Sequence, residues 1–309
     1  MKICLPLLFW LLIIAIQNPA LGADAEPPGA TPAEARITSP SVPEGTPNAA
    51  ESKSGDPKTD LSEFISTYQP YAKNISFYQP MYFLVGTDPK NSKFQVSFKY
   101  RFIDPAKSWS QHHPWLQGIH LAYTQTSFWD LASASKPFED TSYKPELFWQ
   151  SQNMDTSLAW LKGFFVQTGL QHESNGRAGE ESRSTNFAYI EPSFVLMNEK
   201  KLTGLKISPR FHLFVGNDGE TNPDLPDYRG YWDLRLTFGR ADRFIIDSRM
   251  HWANAGGSFQ VDITYPLHRL FGDNLDLYLQ AEYVNALAES LLNYNERTEA
   301  VRIGLAIVR

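Results

Sequence analysis

The sequence predicts an all-β protein, a twelve-stranded antiparallel transmembrane β-barrel, and three observations carry that expectation. Apolar and polar residues alternate with period two through most of the chain after Leu61. The alternating segments are about as long as the roughly 9 to 11 residues a tilted strand needs to cross a bilayer. They number roughly twelve, an even count that suits closure of an antiparallel sheet.

Composition narrows the classes first. The 309 residues carry a net charge of −6 and a pI near 5.7, which gives no electrostatic reason to bind nucleic acid. A mean hydropathy of −0.36 resembles that of a soluble protein, and after residue 22 no apolar run approaches the roughly 18 to 20 residues of a spanning helix. A helical membrane protein is therefore excluded, whereas a barrel is not, because its strands alternate between lipid and lumen and average out. The 14% aromatic content fits the barrel.

Along the chain, Lys2, the apolar stretch Ile3 to Ile16 and Ala20-Leu21-Gly22 form a secretory signal, with cleavage expected near Gly22. The single cysteine, Cys4, lies within it, so the mature chain is expected to contain neither disulfide nor thiolate nucleophile. Residues 23–60 are rich in Pro, Ala, Glu, Ser, Gly and Thr with almost no large apolar residue, and are expected to be a disordered spacer. Residues 61–309 form the barrel domain. Its strand segments are expected at 82–87, 94–102, 116–128, 144–150, 162–174, 186–197, 203–216, 227–239, 242–252, 257–266, 274–285 and 298–308. In the second, Phe94, Val96, Phe98, Tyr100 and Phe102 alternate with Gln95, Ser97, Lys99 and Arg101. Connections are expected to alternate in length, a tight turn at Gly239-Arg240-Ala241 contrasting with the stretch from Ala286 to Thr298. The soluble alternative is a lipocalin-like barrel or sandwich. The recurrence of charge on one face and an apolar other face favours the membrane, with the Arg, Asp, Glu and Gln side chains pairing in the lumen.

The most informative stretch is Gln171-His172-Glu173-Ser174-Asn175-Gly176-Arg177, followed by Ser182 and Asn186. His172 and Ser174 are two apart at a strand end, so they share the face of Phe164, Val166 and Leu170. In a barrel that face meets hydrocarbon, where a polar pair is costly and implies function. Hydrolysis of lipid is the chemistry it suggests. A serine nucleophile needs a base, an orienting partner for the imidazole and donors for the oxyanion. His172 supplies the base. A hairpin from 174 to 186 would bring the Asn186 amide to the ring, and a neutral amide costs less to desolvate at a lipid face than a carboxylate. Gly176 lets the backbone approach an oxyanion.

These residues, with Ser182-Arg183-Ser184 and Asn186, resemble the active-site signature of the outer-membrane phospholipase A family. A second stretch resembles that family's other characteristic block: Tyr123-Thr124-Gln125-Thr126-Ser127, then Ser135-Lys136-Pro137-Phe138 and Tyr143-Lys144-Pro145-Glu146. The resemblance implies a twelve-stranded barrel in the outer membrane of a Gram-negative bacterium. It implies calcium-dependent hydrolysis of the acyl esters of phospholipids and lysophospholipids, appearing on formation of a homodimer. On the matching positions it makes Ser174 the nucleophile, His172 the base, Asn186 the orienting partner and the Gly176 amide an oxyanion donor. Calcium would be held by the Arg177 carbonyl and Ser182 of one subunit and by Ser135 of the other. Gln125, on the outward face with Ile119, Leu121 and Tyr123, matches a family glutamine at the subunit contact.

The chain departs from the family at Glu139, where an arginine is usual, and this charge is expected either to strengthen calcium binding or to pair with Arg183 or Lys136. The other histidines have ordinary explanations, with His112 and His113 in a loop and His120, His212 and His251 on lumen faces. Asp218, Glu220 and Asp224 form an acidic turn, and Tyr68-Gln69-Pro70 and Tyr78-Gln79-Pro80 are a short echo. The competing function is a non-catalytic barrel, a narrow pore or a structural protein, which has no reason to project His172, Ser174 and Asn186 outward.

Overall fold

The computed structural model describes residues 72–309 apart from 155, 157, 159, 241, 273 and 274. The expected signal at 1–22, the spacer at 23–60 and the first residues of the barrel domain lie outside the described residues. Thirteen strands follow one another: β1 (Ile75–Phe77), β2 (Met81–Gly86), β3 (Ser92–Arg101), β4 (Ile119–Trp129), β5 (Phe138–Gln150), β6 (Leu161–Ser174) and β7 (Ser184–Asn198), then β8 (Thr203–Asn217), β9 (Trp232–Gly239), β10 (Ile245–Ala253), β11 (Gly256–Pro266), β12 (Tyr278–Leu287) and β13 (Arg297–Val308). Every pairing is antiparallel, and the ladders of β13 with β2 and of β3 with β4 close the sheet. Closure leaves no unpaired edge in the hydrocarbon, where an unpaired backbone group is costly.

Both β1 and β2 lie along β3, with a register shift between them, so they are one stave with a break and the barrel has twelve. The break is Tyr78-Gln79-Pro80. Pro80 has no N–H to give the ladder. Side chains of β3 mend the gap: Ser97 Oγ accepts from the Gln79 amide at 3.1 Å and Gln95 Nε2 donates to the Pro80 carbonyl at 2.8 Å. The earlier copy of this tripeptide lies outside the described residues.

Alternation sorts the wall into two faces. Outward lie Phe98, Ile190, Leu213, Phe259 and Ile303, each 43% exposed or more, as lipid contact requires. Inward, charges pair with one another. Lys93 lies 2.7 Å from Glu282 and 3.0 Å from Glu289, while Arg302 lies 2.5 Å from Glu282 and 2.7 Å from Glu289. Burial acts to raise the Glu289 carboxyl, but Lys93 and then Arg302 beside it hold it down at about 2, so the loop acid stays ionised at neutral pH. Elsewhere the Arg210 guanidinium stacks 3.6 Å from the Tyr189 ring centroid and donates to Gln171 at 2.6 Å. His212 and His251 line this interior, and the buried His120 stacks on Phe148, as expected for lumen histidines.

Several expectations about elements need correction. β5 starts at Phe138, not at 144, because its first turn-like run, Glu139 to Ser142, breaks apolar alternation yet is held by the β4 ladder. β9 starts at Trp232, not at 227. Pro226 is compatible with the first turn of a helix, and Leu225–Arg229 forms one, closed by Gly230 in a left-handed conformation at φ 73°. β10 and β12 start at 245 and 278, later than the expected 242 and 274. Connection lengths do not alternate either. The end bearing the short connection 254–255 also bears the long 218–231, and the opposite end carries both 199–202 and 102–118.

Candidate active site

β6 and β7 form a hairpin in which His172 lies directly opposite Asn186, and Ser174 opposite Ser184. Glu173 and Thr185, their neighbours in sequence, point inward and are buried. The outward projection of His172, Ser174 and Asn186 therefore follows from strand parity. Facing residues across a ladder have Cβ atoms about 5 Å apart, close enough for side chains to meet. Here His172 Nδ1 and Asn186 Oδ1 are 2.9 Å apart.

The direction of this bond is set from the next strand. Asn186 Nδ2 donates to the Gly216 carbonyl at 3.0 Å, which accepts only, so the amide oxygen must face the imidazole. His172 Nδ1 is then the protonated nitrogen, and Nε2 carries a bare lone pair. Nε2 is buried and has no hydrogen-bond partner among the described residues. Gly216 was not singled out from the sequence. A glycine within a strand signals a bulge or close approach, and here the β7–β8 register shifts just after Asn186. A Cβ at Gly216 would lie 3.2 Å from Asn186 Nδ2 and press on the orienting amide.

Ser174 shares the outward face with His172, and its hydroxyl makes no hydrogen bond among the described residues. The single chain thus holds imidazole and amide in contact, with the serine on the same face but not bonded to the imidazole. Gly176 follows at φ 68°, and a Cβ there would approach the Tyr143 ring to 2.9 Å. Both facts require glycine. Tyr143 is the β5 partner of Ser174 and also the partner of Gln125 on β4, so Gln125, Tyr143 and Ser174 lie in one row across the outer wall. Gln125 accepts from the Tyr123 hydroxyl at 3.0 Å and donates to Ser127 Oγ at 3.2 Å.

Arg177 and Ser182 lie in the connection between β6 and β7, which is organised by the buried Asn175. Its Oδ1 accepts from the amides of Arg177 at 3.3 Å and Arg183 at 3.0 Å, while Nδ2 donates to the Glu181 carbonyl at 2.8 Å. The Arg177 carbonyl and the Ser182 hydroxyl take no part in the hydrogen bonds of the described residues. No group of three or more His, Cys, Asp or Glu suited to a metal occurs among those residues. The two candidate ligands, the Arg177 carbonyl and the Ser182 hydroxyl, are neutral oxygens of the type calcium accepts. Ser135 is exposed in the connection 130–137, between β4 and β5. The Glu139 carbonyl accepts from Arg177 Nη2, whereas its carboxylate pairs with neither Lys136 nor Arg183. That expected pairing is corrected: Arg183 Nη1 instead donates to the carbonyls of Glu180 and Ser182.

A closed antiparallel β-barrel with an apolar outer face, and on that face an oriented imidazole and a hydroxyl, defines the class of outer-membrane β-barrel proteins. A sequence model of the phospholipase A1 family matches residues 63–307, and the chain belongs to that family. It is 30% identical over 192 residues to Phospholipase A1 of Escherichia coli (strain K12), covering 61% of this chain and 62% of that protein. It is 30% identical over 224 residues to a putative phospholipase A1 of Neisseria meningitidis serogroup B, covering 69% of this chain and 53% of the relative. The chain thus spans about three fifths of the length of the E. coli relative. In fold it resembles outer membrane phospholipase A from E. coli, at a TM-score of 0.63 and 23% identity over 76% of this chain and 98% of that one. It also resembles the Salmonella typhi outer membrane phospholipase dimer with bound calcium, at a TM-score of 0.61 and 23% identity, covering 76% and 92%.

Proposed function

We propose that this protein is a calcium-dependent outer-membrane phospholipase that hydrolyses acyl esters of phospholipids and lysophospholipids, active as a homodimer. The observation that carries the reading is the His172–Asn186 pair at 2.9 Å on the outer wall, with a bare Nε2 and Ser174 on the same face. A pore or a structural barrel has no use for such a pair at the acyl-chain layer.

Asn186 holds the imidazole as the tautomer whose Nε2 accepts a proton. Ser174 Oγ attacks the ester carbonyl carbon while its proton passes to Nε2, and the Gly176 amide donates to the oxyanion. The collapsing intermediate expels the lysolipid alkoxide, which takes the proton from Nε2 and leaves Ser174 acylated. Water then attacks the acyl-serine with His172 again as base, releasing fatty acid and restoring the hydroxyl. The Arg177 carbonyl and Ser182 of one subunit, with Ser135 from its partner, would hold calcium. When bound, the ion supplies polarisation of the ester carbonyl and stabilises negative charge. The Salmonella relative is a dimer with bound calcium, which supports a calcium-binding homodimer here. Gln125, facing outward in the row with Ser174, would contact substrate or the second subunit, where a primary amide can bond across apolar walls.

Ser174→Ala is expected to lower fatty-acid release from phospholipid micelles with calcium by at least about 1,000-fold, with the heat-resistant barrel retained on gels. A variant as active as the parent would refute the mechanism.

A further inference from the structure

The inner side of the hairpin carries a contact set that the chemistry above does not use. Glu173 lies between base and nucleophile, points inward, and its side chain is only 1% exposed. Arg229, at the end of the short helix Leu225–Arg229, donates to Glu173 through Nη1, while its Nη2 donates to the Ala288 carbonyl at 3.2 Å. The same guanidinium lies 5.7 Å from the ring centroid of Phe187, the inward neighbour of Asn186. One cation therefore touches the residue between His172 and Ser174, the residue beside Asn186, and the connection 288–296. The connections 218–231 and 288–296 are themselves joined by a buried cluster of Leu225, Ala288, Leu291 and Tyr294.

We infer that Arg229 is a positioning residue, fixing from inside the lumen the strand ends that carry His172, Ser174 and Asn186. The inference rests on the serine-hydrolase reading. Along a strand, the inward side chain of one residue and the outward side chains of its neighbours share one rigid backbone segment. Clamping Glu173 fixes the directions in which His172 and Ser174 project, and packing on Phe187 does the same for Asn186. The cation matches the task because a planar guanidinium can serve a carboxylate, a carbonyl and a ring face at once, which an ammonium cannot. Lys144, 3.4 Å from Glu173, provides a second positive charge, so loss of Arg229 leaves the carboxylate paired and the interior tolerable. Its stem comes from β5 and reaches neither Ala288 nor Phe187 by any hydrogen bond or ring contact of the described residues.

The test is steady-state lipolysis of phospholipid micelles at saturating calcium by the full chain, with resistance of the barrel to detergent at room temperature measured in parallel. Arg229→Met is expected to lower kcat about 10- to 100-fold, the scale of a small misplacement of reacting groups. KM should stay within about twofold, since no substrate contact is removed. Arg229→Lys should recover part of kcat. The double variant Glu173→Gln/Arg229→Met leaves only the Lys144 charge, whose side chain is 24% exposed and reachable by lumen water, so the barrel should stay resistant to detergent while kcat stays low. The inference is overturned if Arg229→Met keeps the parent kcat, if KM alone rises, or if the double variant regains kcat together with resistance. Should Arg229→Met fail to fold, the lysine and double variants decide by the same readings. Ser174→Ala run alongside separates the two levels. Its retention of activity refutes the hydrolase reading, whereas its inactivity beside a fully active Arg229→Met refutes only the positioning role.

Discussion

Asn186 is held twice, by its donation to the Gly216 carbonyl and by its oxygen against His172, and that double hold fixes the imidazole as the tautomer with a bare Nε2. In the proposed mechanism its replacement by alanine removes orientation but neither nucleophile nor base. Asn186→Ala is expected to lower kcat on the order of 10- to 100-fold, less than loss of Ser174, because a neutral amide adds orientation without much charge stabilisation. Lipolysis rates of the two variants side by side check the order, and an unchanged rate in Asn186→Ala would remove the amide from the mechanism. This residue-scale geometry was legible in the sequence as far as strand parity reaches. The two-residue spacing of His172 and Ser174 placed them on one face, and the hairpin placed Asn186 opposite. Gly216 was not legible, since its role depends on a bulge in a third strand that no local pattern announces. Nor was Arg229 legible, because its partners Glu173 and Ala288 lie 56 and 59 residues away.

At the scale of elements, one buried amide gathers the backbone of the connection 175–183. Asn175 gathers the backbone of Arg177, Glu181 and Arg183, and so fixes where the Arg177 carbonyl and Ser182 lie. Asn175→Ala is expected to leave the barrel folded and to weaken calcium binding about tenfold or more, because a neutral-oxygen site depends on placement more than on charge. Calcium titration of lipolysis measures this, and an unchanged half-saturation would show that the connection is held by other contacts. Strand boundaries were legible where apolar residues alternate, as on β3, β6 and β13. They were misplaced where polar residues occupy a strand end, as at Glu139 to Ser142 on β5. They also failed where Pro226 turned an expected strand start into a helical turn. The break at Tyr78-Gln79-Pro80 shows the same limit. Pro80 signals a disrupted ladder, but the repair by Ser97 and Gln95 depends on pairing across the sheet.

For the whole molecule, the same alternation that closes the wall assigns its two jobs. Many inward charges pair with one another across the staves, while the outer face is largely apolar and carries near one end the row from Gln125 through Tyr143 to Ser174. An enzyme built in this way meets its substrate within the bilayer, and its chemistry is expected only where a hydroxyl and an imidazole project into acyl chains. The most direct measurement is covalent capture from the lipid phase. A long-chain sulfonyl fluoride is delivered in micelles with calcium to the purified protein, and the adduct is mapped by mass spectrometry. The account predicts a single adduct on Ser174, lost in His172→Ala and accompanied by loss of lipolysis. Full lipolysis with Ser174 unlabelled, or inactivation by an adduct on another residue, would contradict it.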